Sequence, residues 1–417
     1  MNQIKQGYKQ TKVGIIPENW EVVNFDELKD KTDRHSITGG PFGSDLKSEH
    51  YTSSGVRVIQ LQNIGDGKYI NKEFVYTSEE KANQLKNCLI YPNEIILAKM
   101  AEPVARACLI PSFEDKFLMC SDGIRLLVDK NKFSTKYVLE YINYDLFRKI
   151  AINRSTGSTR GRIGLTDLKT IPLALPPLKE QEKIAEILTI WDEAITKQTE
   201  LLRAKELQKK ALGQKLLSGE VRFDGFSDEW EEIRLGKYIK EISKKNKENV
   251  ELVLSVTNKH GFIAQKDYFE KEVASKDTSN YKIVKKGNFA YNPSRINVGS
   301  LGLLEEYEIG ILSPMYVIFE CLKGLDKQYL NYWLNTHNFT GNLSKFLSGS
   351  VRDSLAFNDM KLMKIKLPSL PEQQKIAEVL SLADDELNLL KKELEELKQQ
   401  KKGLMQKLLT GEVRVMA

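Results

Sequence analysis

The chain has 417 residues, 41% of them hydrophobic and 29% charged; that is the balance of a folded protein too long for one ordinary core, so two or three domains are expected. A formal charge of +6 permits a nucleic-acid partner without demanding one. Four scattered cysteines (Cys88, Cys108, Cys120, Cys321) and four histidines argue against a zinc site or a disulfide framework and fit a reducing cytoplasm.

In chain order, the polar stretch 1–20 lacks the apolar core of a signal peptide, and no run of about 18 apolar residues suits a membrane span. The first globule, 1–174, reads as mixed α/β: short β-rich runs at 56–61 and 94–98 precede a helical stretch at 136–150. Leu-Pro-Pro at 175–177 then launches a long helix that ends at Ser218-Gly219, the glycine at the position after the last helical residue. Its apolar residues Leu188, Trp191, Ile195, Leu202, Leu212 and Leu216 recur at coiled-coil spacing, interrupted by Gln198, Lys205 and Lys209.

The second globule, 219–366, repeats the pattern with runs at 252–256 and 315–319 and a helical stretch at 327–339. A second long helix within 367–417 carries Leu380, Ala383, Leu387, Leu390, Leu394, Leu397, Leu404 and Leu408 in the same phase, interrupted by Lys401. Such a stripe packs as helical core, but packing alone does not explain why two globules should be joined twice by roughly 37 residues, about 55 Å of helix. Chain order requires the helices to run antiparallel, giving a spacer with a globule at each end.

The halves are a tandem duplication. Residues 157–221 match 349–413 at a constant offset of 192; Glu-Gln-Glu-Lys-Ile-Ala-Glu (180–186) meets Glu-Gln-Gln-Lys-Ile-Ala-Glu (372–378), and Gly-Glu-Val-Arg ends both copies (219–222 and 411–414). The repeat is also circular: Asp-Gly-Phe-Ser-Asp-Glu-Trp (224–230) follows the first copy, whereas the amino terminus supplies Gly-Ile-Ile-Pro-Glu-Asn-Trp (14–20) for the second. Two pseudo-two-fold related globules and termini that meet are expected.

Catalytic motifs are missing. Gly-Asp-Gly-Lys (65–68) lacks the spacing and hydroxyl of a phosphate-binding loop, and Asn-Pro-Ser-Arg (292–295) fails the Asn-Pro-Pro-aromatic pattern of an adenine methyltransferase. Asp192-Glu193 and Asp384-Asp385 could suggest a metal pair, but they lie on the helices, where solvated faces or partner contacts are the simpler reading. No catalytic residue, metal or cofactor is assigned.

Base readout requires forked or paired donors and acceptors on exposed loops near positive charge. In the first globule the candidates are Ser44 and Lys47 within 40–47; Gln60, Gln62 and Asn63; Lys99 and Arg106; and Arg154, Ser158, Thr159, Arg160 and Arg162 in the arginine-, glycine- and hydroxyl-rich stretch before the helix. In the second they are Asn258, Lys259, Asn292, Arg295, Ser350 and Arg352. The Gly-Ser-x-Arg element shared by both halves suits phosphate better than bases, and its bland alternative is an ordinary polar turn.

The doubled Leu-Pro–Glu-Gln-x-Lys-Ile-Ala-Glu helix start, Gly-Pro-Phe-Gly-Ser-Asp-Leu (40–46), Ile-Pro-Glu-Asn-Trp (16–20) and the Gly-Glu-Val-Arg endings resemble type I restriction–modification specificity subunits over essentially the whole chain. The resemblance implies an α+β fold: two mixed α/β target recognition domains (1–174 and 219–366) joined by two long antiparallel coiled-coil helices (175–218 and 367–417). It implies a non-catalytic cytoplasmic protein in which each domain reads one half of a bipartite site in double-stranded DNA while the helices set the spacing. The helices would also dock two methyltransferase subunits, which bring S-adenosylmethionine and methylate adenine, and two restriction subunits can join. Docking candidates are Glu180, Gln181 and Lys183 with Glu372, Gln373 and Lys375. The competing classes are a coiled-coil scaffold with two protein-binding globules, which predicts no salt-sensitive DNA binding, and a self-sufficient enzyme, which predicts methylation or cleavage by the isolated chain.

Overall fold

Proline turns launch two long helices, Leu178–Ser218 (41 residues) and Leu370–Leu409 (40 residues). At ~1.5 Å per residue each spans about 60 Å, slightly more than the spacing of their apolar residues predicts. Gly219 and Gly411 follow them at φ 77° and 73°, the left-handed conformation that lets the chain leave a helix at little cost. A computed structural model describes residues 4–100, 102–157, 161–258, 260–268, 277–347 and 354–416. The chain divides into two units, 1–199 with 393–417 and 200–392, so both long helices contribute to each unit.

In the first unit an antiparallel sheet places Ala107–Leu109, Ile95–Ala98, Gly123–Leu126 and Ile37–Gly39 side by side in that order. The second unit repeats the order with Leu301–Leu303, Phe289–Tyr291, Val317–Cys321 and Ile239–Ile242. Each unit also has a two-stranded ribbon, Glu21–Asn24 with Pro172–Leu175 and Glu231–Arg234 with Lys364–Leu367. The outer layers differ. Five strands form one sheet in the first unit, whereas in the second two antiparallel pairs, Leu254–Thr257 with Gly261–Ala264 and Lys282–Lys285 with Ile309–Leu312, are joined by the Val253–Ile311 bridge. This is the expected α+β architecture, a duplicated frame carrying two different outer layers.

The helical stretches are each broken once. Residues 136–150 form Thr135–Asn143 and Asp145–Asn153, with Tyr144 extended between them. Residues 327–339 form Lys327–Leu334 and His337–Thr340.

Equivalent helix ends enter equivalent cores. Ile184, Ala185, Leu188, Leu408 and Leu409 pack with Trp20, Phe25 and Tyr137 in the first unit. Leu216, Leu217, Ile376, Ala377 and Leu380 pack with Leu235, Phe319 and Tyr329 in the second. Each unit shows the helices antiparallel: Asp192 meets Lys401 and Gln198 meets Glu393 in the first, while Lys205 meets Glu386 and Glu206 meets Lys391 in the second.

One buried knot closes each unit. Arg414 grips Glu180 through Nε and Nη2 at 2.7 and 2.8 Å while Trp20 Nε1 donates to the same carboxylate at 3.3 Å. In the second unit Arg222 grips Glu372 at 2.8 Å through both nitrogens, and Trp230 Nε1 donates to it at 3.2 Å. Gln181 and Gln373 accept from Ser134 N and Asp326 N and donate to the prolyl carbonyls of Pro176 and Pro368. Arg414 meeting Trp20, and Tyr8 donating to the Gly411 carbonyl at 2.9 Å, make the circular repeat a physical fact.

Candidate nucleic-acid interface

The richest cluster forms where loops of the first unit converge beyond the ends of its inner strands. Strand Ile95–Ala98 ends at Lys99, whose Nζ donates to the Ser121 carbonyl at 3.0 Å. Burial, reinforced by the nearby Arg162, holds the Lys99 ammonium below the usual lysine range. Arg162 lies 2.6 Å from Asp122 in the same Ser121-Asp122 turn and remains about half exposed. Its strand-like segment is tied down on both sides: Arg162 N and Thr156 N exchange hydrogen bonds at 2.9 Å, and Ile163 N donates to the Lys99 carbonyl at 3.0 Å. Arg106 returns across the loop, donating to Glu102 and Leu61 carbonyls at 3.2 and 2.9 Å, which joins this loop to the 60–63 turn. Gly40 makes the crossing possible, because a Cβ there would sit 1.7 Å from the Cys120 oxygen.

Three cations, Lys99 and Arg106 from one loop and Arg162 from the distant stretch before the first long helix, are thus gathered with Gln60 and Gln62. Gln62 is exposed and donates to Gln60 at 2.6 Å and to Glu73 at 3.1 Å. Ser44 and Lys47 are exposed farther along the loop that leaves Gly40. Asn63 does not reach the surface. It is 1% exposed, accepts from Gln60 N and donates to the Ile70 and Lys72 carbonyls, so the structure assigns it to holding the turn rather than to a ligand. Arg154 is turned onto the short helix Leu165–Lys169, bonding the Asp167 carbonyl and Thr170 hydroxyl. Ser158, Thr159 and Arg160 lie outside the described residues, as do Lys259, Ser350 and Arg352.

The second unit places Asn258 and the 292–299 turn at the corresponding end of its frame. Asn292 caps the turn Pro293–Val298 by accepting from Ser294 N at 3.1 Å, and Arg295 is exposed on it. Asn258 Cβ lies 3.1 Å from where a Cβ on Gly299 would stand, which packs the two loops together. Leu355 N donates to the Pro293 carbonyl at 3.2 Å and brings the segment before the second long helix to this turn. Exposed Val298 and Met315 lie on and beside it.

Of the docking candidates, Glu180, Gln181, Glu372 and Gln373 are 0–3% exposed and fully engaged in the knots and caps described above, so they cannot meet a partner directly. Lys183 and Lys375 are about half exposed and pair with Glu186 and Glu378 of their own helices. Sequence reading missed the Ser121-Asp122 turn that seats Lys99 and Arg162; its Ser-Asp-Gly signal is visible but carries no hint of its partners. Asp192 and Asp384 accept hydrogen bonds from Lys401 and Lys209 instead of facing only solvent. Among the described residues no group of His, Cys, Asp and Glu is placed to hold a metal ion, and no helix is long and apolar enough to cross a membrane.

The family model for the type I restriction modification DNA specificity domain matches this chain twice, at residues 17–204 and 228–399. The chain belongs to that family of non-catalytic specificity subunits. It is 29% identical to the type I restriction enzyme MjaVIII specificity subunit of Methanocaldococcus jannaschii, over 99% of this chain and 97% of that protein. A second specificity subunit of that organism, MjaIX, is 24% identical over 98% and 96%. Among solved structures, the S subunit of a type I restriction-modification system from M. genitalium superposes with a TM-score of 0.54 at 18% identity, covering 96% of this chain and 97% of that one.

Proposed function

We propose that this chain gives a cytoplasmic type I restriction–modification complex its DNA specificity. The two target recognition domains, 1–174 and 219–366, each read one half of a bipartite site in double-stranded DNA. The helical regions, 175–218 and 367–417, set the gap and dock two adenine methyltransferase subunits, to which two restriction subunits can add. The observation that carries this reading is the gathering of Lys99, Arg106 and Arg162 onto one loop face of the first unit, beside Gln60 and Gln62. Guanidinium and ammonium groups there suit phosphate and guanine, while the carboxamides suit adenine. On the second unit Asn258, Asn292 and Arg295 take the corresponding role.

Exposed Lys183 and Lys375, at equivalent positions of the two helices, suit docking of two copies of one partner. Co-expression with the modification subunit, followed by genome-wide mapping of methylated adenine, tests the reading. A bipartite methylated motif that disappears when this chain is omitted supports it; an active, co-purifying partner whose methylation ignores this chain contradicts it.

A further inference from the structure

Two of the lysines that interrupt the helix seams, at equivalent positions of the two copies, are held by the same chemistry. In the first unit Lys401 Nζ donates to both oxygens of Asp192 at 2.7 Å and lies 3.3 Å from Glu140 on Thr135–Asn143. In the second unit Lys209 pairs with Asp384, whose other oxygen accepts from Tyr332 on Lys327–Leu334 at 2.8 Å. Lys209 and Lys401, Asp192 and Asp384, and Glu140 and Tyr332 are each 192 positions apart. Lys401 and Glu140 are only 16% and 14% exposed. Each cluster joins three elements: the two long helices and the first helix of a globule.

We propose that these two lysine–aspartate pins are positioning residues that fix the helix register and seat each globule on it, and so hold the half-site gap to one length. This inference rests on the DNA-reading function proposed above. A leucine seam alone tolerates a slip of one heptad, since leucines then meet other leucines. The pins oppose it, because a slip takes each lysine from its aspartate and, in the first unit, leaves the mostly buried Lys401 ammonium without that partner. The globule partner adds a second constraint: Glu140 and Tyr332 meet their pins in one register only.

The test uses the full chain with its modification subunit, reading adenine methylation as a distribution of gap lengths. Combining Lys209→Met with Lys401→Met keeps the seam filled and is expected to raise methylation at sites of altered gap about tenfold. Exchanging the charges (Asp192→Lys with Lys401→Asp and Glu140→Gln, the last because an aspartate at 401 would otherwise face the Glu140 carboxylate, and Asp384→Lys with Lys209→Asp) is expected to return the distribution to that of the unaltered chain. A single unchanged gap in the methionine variant overturns the proposal, even if that variant melts earlier, and so does a charge exchange that leaves the gaps broadened. Should the methionine variant fail to assemble, Asp192→Asn with Asp384→Asn removes the charge at constant volume and is read in the same way. If the unaltered chain directs no bipartite methylation, the failure lies with the DNA-reading function itself.

Discussion

Lys99 and Arg162 show how little of a site depends on neighbours in sequence. Each is anchored to the 121–122 turn, Lys99 through the Ser121 carbonyl and Arg162 through the Asp122 carboxylate. Replacing either by alanine is expected to weaken DNA binding by about 1–3 kcal/mol if it meets a base, with relaxed preference at one position of one half-site. A phosphate contact instead weakens all sequences alike and lowers the salt slope by about one. Titration against matched and mismatched duplexes at several salt concentrations separates the two, and binding unchanged by both substitutions would remove this face from the interface.

Glu140 supplies a pH signature at the same scale. Burial holds its carboxyl above the ordinary 4.5, outweighing the attraction of Lys401. Its contribution to stability is therefore complete below pH 4.5 and declines as pH rises through the raised value. Glu140→Gln is expected to flatten this part of the profile, so that the difference in melting temperature between variant and parent shifts in the variant's favour from pH 4 to pH 7. A difference that does not change with pH would contradict the assignment.

At the scale of elements, the helices were legible because their signals are local: proline before, glycine after, and apolar residues every three or four positions between. Their polar interruptions were visible as well, but what they meet was not, since Lys401 finds Asp192 more than 200 residues away. The four buried motif residues show the same limit. Glu180 and Glu372 read as docking positions at a helix start, yet each lies under a tryptophan and an arginine supplied by the other end of the repeat. The break at Tyr144 also depends on distant structure: Asn143 bonds both the N–H and the carbonyl of Ala107, a strand its own segment does not announce.

The helices further predict the gap. Inserting four residues at equivalent points of both is a coiled-coil stutter that lengthens each by about 6 Å, close to two base pairs. The methylated motif should keep both half-sites and gain a longer gap; an unchanged gap would separate helix length from spacing.

At the scale of the whole molecule, duplication is what made the architecture readable from one sequence. The frame of four antiparallel strands, ribbon and helix recurs in both units in the same order, while the outer layers diverge from a five-stranded sheet to two bridged pairs. A constant frame with variable outer layers is the arrangement expected when one assembly task is performed twice and two recognition tasks differ. Which outer-layer residues read which base was not legible, because loop convergence, not periodicity, decides it.

The most direct measurement is therefore an exchange. Residues 1–174 would be replaced by the corresponding segment of a related specificity subunit with a different target, and methylated adenines mapped in cells carrying the modification subunit. One half of the bipartite motif should change, with the other half and the gap retained. A motif that changed in both halves, or in neither, would contradict the account.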